Sequence, residues 1–170
     1  RFIEGLIPYN SRSEDLGGFV EEIAPSAFAK TLSDGAEVKA FWSHDSGKVI
    51  GARSAGTLKL ESRSDGLAFA IELRDTAVSA DYWETVARGD CLGVSFGFIT
   101  ERDEWDSTQK PAVRRLKEVR LLEISPGVPF AAYPGAYSGA AIRSLYAEAG
   151  VDIAAALASR HKPALNPDPA

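Results

Sequence analysis

A mainly β fold with flanking helices, closed or nearly closed into a barrel, is what this 170-residue sequence predicts. Three observations carry that expectation. Apolar residues alternate with small or polar ones in several short segments, the period of half-buried strands. Turn chemistry separates those segments. The helical segments are few and do not alternate with strands as a βαβ fold requires.

The strands are read in order. Leu67, Phe69, Ile71 and Leu73 share one face of a segment spanning 67–74. Ser64-Asp65-Gly66 before it is a turn, so 57–62 and 67–74 are predicted to form a hairpin. Segments 38–43 and 48–53 form a second pair, joined by His44-Asp45-Ser46-Gly47. Longer strands follow at 92–101 and 113–124, separated by the polar stretch 103–110. Residues 5–9 and 19–23 add two short strands.

Three segments read as helix. The first, 25–32, has Pro25 at a tolerated early position and ends near Gly35. The second, 79–88, is predicted to be capped by Ser79, with Asp81 in its first turn and Gly89 as its stop. The third, 140–160, is rich in alanine and interrupted by Gly150. Pro163, Pro167 and Pro169 crowd the residues after it, and 161–170 is expected to be disordered. The predicted organisation is a barrel domain over 1–137, a helical segment over 138–160 and a Pro-rich tail.

Composition narrows the function. A net charge of −5 argues against a nucleic-acid surface, which needs a surplus of Lys and Arg. The local cluster of Arg114, Arg115, Lys117 and Arg120 reads as a solvated strand face. No apolar run approaches the roughly 18 residues of a membrane span. Cys91 is the single cysteine, so no internal disulfide forms, and with only two histidines no zinc site or other cofactor is expected. The chain starts at Arg1 and contains no methionine, as expected of a trimmed segment.

The chemistry concentrates in Gly93-Val94-Ser95-Phe96-Gly97. Gly93, Ser95 and Gly97 share a strand face, and two glycines beside a serine predict either a shallow substrate trough with Oγ exposed or a strand crossing tightly over a barrel corner, with the serine incidental. The same residues match G-x-S-x-G, but a nucleophile elbow needs a helix directly after the serine, and here Phe96–Thr100 continues as alternating strand. His44 ends an apolar strand on the face of Trp42, whose ring would partly desolvate the imidazole and suit a general base. Glu123 shares a face with Val119 and Leu121, where an ionised carboxylate is costly unless paired. Its partner would be either an arginine or His44 Nδ1. Asp45 is the weaker candidate for orienting His44, since strand neighbours point to opposite faces. Cys91 with His44 is a further candidate pair, set against Cys91 as a small buried hydrophobe.

The pieces from Glu14 to Pro25, Phe41-Trp42-Ser43-His44-Asp45, Arg88-Gly89-Asp90 leading into Gly93–Phe98, and Leu121–Pro126 followed by Ala132-Tyr133-Pro134 occur in a telling order. Together they resemble the phage prohead (capsid maturation) serine proteases, which share the fold of the herpesvirus assembly proteases. The resemblance implies a serine endopeptidase with His44 as base, Ser95 as nucleophile and Glu123 as third member. Its substrate would be the scaffold or delta segment of a major capsid protein, and itself, inside a procapsid assembling in the bacterial cytoplasm. The run after Glu123 departs from the family: Ser125-Pro126-Gly127-Val128-Pro129-Phe130 lacks the arginine that backs the oxyanion donor in the herpesvirus enzymes. By position, the Gly127 or Val128 amide is the expected donor; Pro126 and Pro129 have no N–H. Herpesvirus relatives dimerise through a helix, which makes 140–160 the candidate contact for an oligomer. Neither a membrane nor nucleic acid is an expected partner. The competing reading is a catalytically silent barrel module that serves capsid assembly as scaffold.

Overall fold

The computed structural model describes residues 1–141. Nine strands and two short helices follow one another as β1 (Phe2–Pro8), β2 (Phe19–Ile23), α1 (Ala29–Ser33), β3 (Lys39–Trp42), β4 (Asp45–Ala52), β5 (Leu58–Ser62), β6 (Gly66–Glu72), α2 (Ala77–Ala87), β7 (Gly93–Asp106), β8 (Ala112–Val128) and β9 (Tyr137–Ala141). They build one sheet in the order β4-β3-β8-β7-β9-β1-β6-β5, with β2 attached to β8. Pairing is antiparallel except at β2–β8 and β3–β8. The two ends of that order come back together. Gly51 on β4 lies so close to β6 that an added Cβ would sit 2.9 Å from Ile71 Cγ2. The sheet is therefore a nearly closed barrel, as the sequence predicts.

Alternation explains the inside of the barrel. Ile3 and Ile7 on β1, Leu67 and Ile71 on β6, Val94 on β7, and Leu116, Leu121 and Ile124 on β8 are all buried in one cluster with Phe28 and Tyr82. At about 25 cal/mol per Å² of apolar surface removed from water, this cluster is the main stabilising feature. β8 is the spine, since β2, β3 and β7 all hydrogen-bond to it.

The β7–β8 ribbon runs further than the sequence predicts. The first half of the expected separator, 103–106, is strand, and its charges pair across the ribbon: Arg114 Nε lies 2.6 Å from Asp103 Oδ2, and Lys117 Nζ 3.2 Å from Glu104 Oε2. Arg115 pairs with Glu22 and Arg120 approaches Glu101, so the whole basic cluster is matched by acids rather than simply solvated.

The helices also shift. The first is shorter than expected, with turns over 25–28 and helix only at Ala29–Ser33. Thr31 fastens it to the spine, donating from Oγ1 to Val119 C=O at 3.0 Å and accepting from Leu121 N–H at 3.1 Å. Helix α2 starts before Ser79: its cap is Thr76, whose Oγ1 accepts from Ser79 N–H at 3.2 Å. Ser79 is instead a buried residue of the first turn.

Strand β9 has no counterpart in the sequence reading, and it carries the barrel to Ala141, past the expected boundary at 137. It pairs with β1 over five residues, made possible by Gly5, where a side chain would collide with Tyr137 C=O and the Phe69 ring. The rest of the predicted 140–160 helix and the 161–170 tail lie outside the described residues.

Candidate active site

β8 brings Glu123 and Ser125 to one face, two residues apart. Antiparallel pairing sets Gly97 opposite Glu123 and Ser95 opposite Ser125, so β7 presents Ser95 on that same face. Phe96 and Ile124, paired between them, point into the core. The site thus lies on the outside of the barrel wall. Ser95 is half-buried.

His44 arrives from the β3–β4 hairpin. The sequence reading puts it on a strand face beside Trp42 within a four-residue connection. The structure has a two-residue turn, Ser43-His44, closed by the Trp42–Asp45 pair. Both turn residues have positive φ, 53° at Ser43 and 61° at His44, the left-handed conformation that a tight hairpin turn requires and non-glycine residues disfavour. Such strain persists only where surrounding structure holds it. Trp42 is engaged elsewhere: its ring lies 5.4 Å from Tyr82 and under Lys48 Nζ. The imidazole remains 49% exposed, so its environment is set by its hydrogen-bond partner rather than by the indole.

That partner is Glu123. His44 Nδ1 lies 2.7 Å from Glu123 Oε1. With Nδ1–H donating to the carboxylate, the neutral ring keeps Nε2 as its acceptor. Of the two partners weighed for Glu123, an arginine or His44, the structure supplies His44. Asp45 is occupied in its own turn, accepting from Gly47 N–H at 2.9 Å and lying 3.4 Å from Lys48 Nζ.

Both glycines stand where an added side chain would meet close neighbours. A Cβ at Gly97 would sit 2.8 Å from Glu123 Oε1 and 3.1 Å from its Cγ, so the missing side chain makes room for the carboxylate. At Gly93 the equivalent space is closed by Val128 C=O at 2.8 Å and Ala131 Cβ at 3.0 Å.

Gly127 sits in a bulge, since Val94 pairs with Pro126 and Gly93 with Val128. Its φ of +75° suits glycine, and its N–H donates to Ser138 Oγ at 3.3 Å. Val128 is buried at the strand end. Cys91 is a half-buried free thiol just before β7. Among the described residues, no group of three or more His, Cys, Asp or Glu side chains stands close enough to hold a metal ion, and no helix is long and apolar enough to cross a membrane.

Sequence reasoning missed one residue of the site. Ser125, fully buried, accepts from His44 N–H at 2.9 Å and donates to Glu123 Oε2 at 2.8 Å. Its only signal in the sequence is the two-residue spacing from Glu123.

Comparison with known families bears on this geometry. The family model of the caudovirus prohead serine protease matches residues 3–148. The chain belongs to the caudovirus prohead serine protease family. This prohead protease is therefore a serine endopeptidase of capsid maturation, with a capsid protein as its general class of substrate. No curated protein and no solved structure matches the chain.

Proposed function

We propose that this prohead protease cleaves its substrate with Ser95 as nucleophile, His44 as general base and Glu123 as the carboxylate that orients it. The observation that carries the reading is the 2.7 Å pairing of His44 Nδ1 with Glu123 Oε1 on the sheet face that also bears Ser95. Ser95 Oγ attacks the scissile carbonyl carbon while His44 Nε2 takes its proton. The tetrahedral intermediate collapses as the leaving amine takes that proton from His44. Water then attacks the acyl-enzyme with His44 again as base, freeing Ser95 and the new carboxyl terminus. By accepting from Nδ1–H, Glu123 selects the tautomer of the neutral ring in which Nε2 is the acceptor, and it stabilises the imidazolium that forms afterwards.

A preorganised donor for the tetrahedral oxyanion strengthens such chemistry. Gly127 and Val128 supply the two proposed donor amides; the Gly127 N–H rests on Ser138 Oγ at 3.3 Å, and Val128 stands opposite Gly93 in the β7–β8 ladder. Ser95 and His44 form no hydrogen bond with each other among the described residues, a looseness common in substrate-free sites that tighten on binding.

The proposed substrate is the scaffold or delta segment of the major capsid protein, together with the protease chain itself. The proposed setting is the procapsid interior in the host cytoplasm, without membrane or nucleic acid as partner, and 140–160 is the proposed contact of any homo-oligomer. The test is co-expression with the neighbouring capsid protein, followed by intact-mass analysis. Wild type shortens the capsid protein and Ser95→Ala leaves it whole. Equal shortening by both would remove Ser95 from the chemistry. Full-length capsid protein with both, inside assembled procapsids, would favour a silent scaffold module.

A further inference from the structure

We propose that Ser125 is a positioning residue that locks the base to its orienting carboxylate; this rests on the reading of His44 and Glu123 given above. The Ser125 hydroxyl accepts from the His44 main-chain N–H at 2.9 Å and donates to Glu123 Oε2 at 2.8 Å, while Glu123 Oε1 takes His44 Nδ1 at 2.7 Å. The three residues close a ring that runs from the His44 backbone through Ser125 and the carboxylate to the His44 imidazole.

Two consequences follow from that ring. Glu123 has both oxygens held, so its carboxylate cannot swing away from the imidazole. His44 has its backbone held as well as its ring, and it is a residue whose φ of 61° needs external support. The base is thereby fixed at two points to one hydroxyl-carboxylate unit on β8.

The hydroxyl has no comparable task in the barrel. β8 at Ser125 is paired through its backbone to Ser95 on β7, a pairing alanine would preserve. Ser125 has no exposed surface, so it does not meet substrate, and its effect passes through His44 and Glu123. A buried hydroxyl is retained at such a place because it is hydrogen-bonded on both sides.

The test uses a fluorophosphonate, which reports base-assisted attack by serine without requiring the peptide substrate. Wild type, Ser95→Ala, Ser125→Ala and Ser125→Thr are compared by the rate of adduct formation at position 95. Ser125→Ala is expected to lower the maximal labelling rate about 10–100-fold, as loss of a positioning partner generally does, with little change in the half-saturating probe concentration. Ser125→Thr, which keeps the hydroxyl, restores most of the rate. In parallel, the His44 Nδ1 proton resonance, assigned uniquely in a His161→Gln background, is expected to broaden or vanish in Ser125→Ala and return in Ser125→Thr.

Unchanged labelling and an unchanged Nδ1 resonance in folded Ser125→Ala would overturn the proposal while leaving the triad intact. No adduct at Ser95 in wild type would instead overturn the triad reading, and the resonance would still decide whether Ser125 holds His44. Should Ser125→Ala not fold, Ser125→Cys keeps the volume with a weak donor and is read by the same criteria.

Discussion

Gly97 and Glu123 face each other across β7 and β8, and the carboxylate occupies the space a side chain at Gly97 would fill. The glycine is thus part of the acid's seat. Gly97→Ala should force Glu123 off His44 and lower activity at least about tenfold, as misplaced catalytic groups do. Thermal stability should fall much less, because residue 97 lies outside the buried core. Peptidase rate and melting temperature, measured on the same sample, separate the two effects.

The Ser43-His44 turn stores backbone strain at the base. Ser43→Gly should keep activity and hold or raise stability, since glycine adopts φ of 53° without penalty. Ser43→Val should lower stability, since a β-branched side chain tolerates left-handed φ less than the serine already there. Denaturant unfolding checks both.

How much of this was legible beforehand depends on the residue. The β5–β6 hairpin follows from strict alternation around a turn, so local pattern sufficed there. His44, Ser95 and Glu123 stand out because each interrupts an apolar strand. That His44 meets Glu123 rather than Asp45 is a property of the turn, and Ser43-His44 carries none of the Asn-Gly chemistry that announces such turns. Strand β9, with its small residues, is a strand because β1 offers Gly5 as a neighbour, a tertiary effect. Ser125 was invisible for a similar reason: its two partners come from different parts of the chain.

Glu21 anchors a second polar network, away from the site. Only 4% exposed, it accepts from Tyr133 Oη at 2.6 Å and pairs with Arg114 Nη1 at 3.1 Å. Glu21→Ala leaves the buried Tyr133 hydroxyl without its acceptor, while Arg114 keeps Asp103, and should cost about 1–3 kcal/mol. Equilibrium unfolding in urea measures the loss.

Burial pushes the Tyr82 phenol up, and burial with Glu21 alongside pushes up that of Tyr133. Above about pH 10, where an unfolded phenol ionises, the folded chain binds more protons than the unfolded one. The contribution of both tyrosines is therefore whole below that pH and is lost as pH rises beyond it. Melting temperature followed from pH 8 upward should decline more steeply above about 10. Tyr82→Phe, which also removes the 2.8 Å bond to Pro126 C=O, should flatten that decline.

The central claim is that Ser95 is a nucleophile served by His44, and peptide mapping after fluorophosphonate treatment tests it most directly. A single adduct on Ser95 in wild type, absent in Ser95→Ala and slowed by several powers of ten in His44→Ala, is the predicted result. An adduct on another residue, or labelling of Ser95 at the same rate without His44, would contradict it.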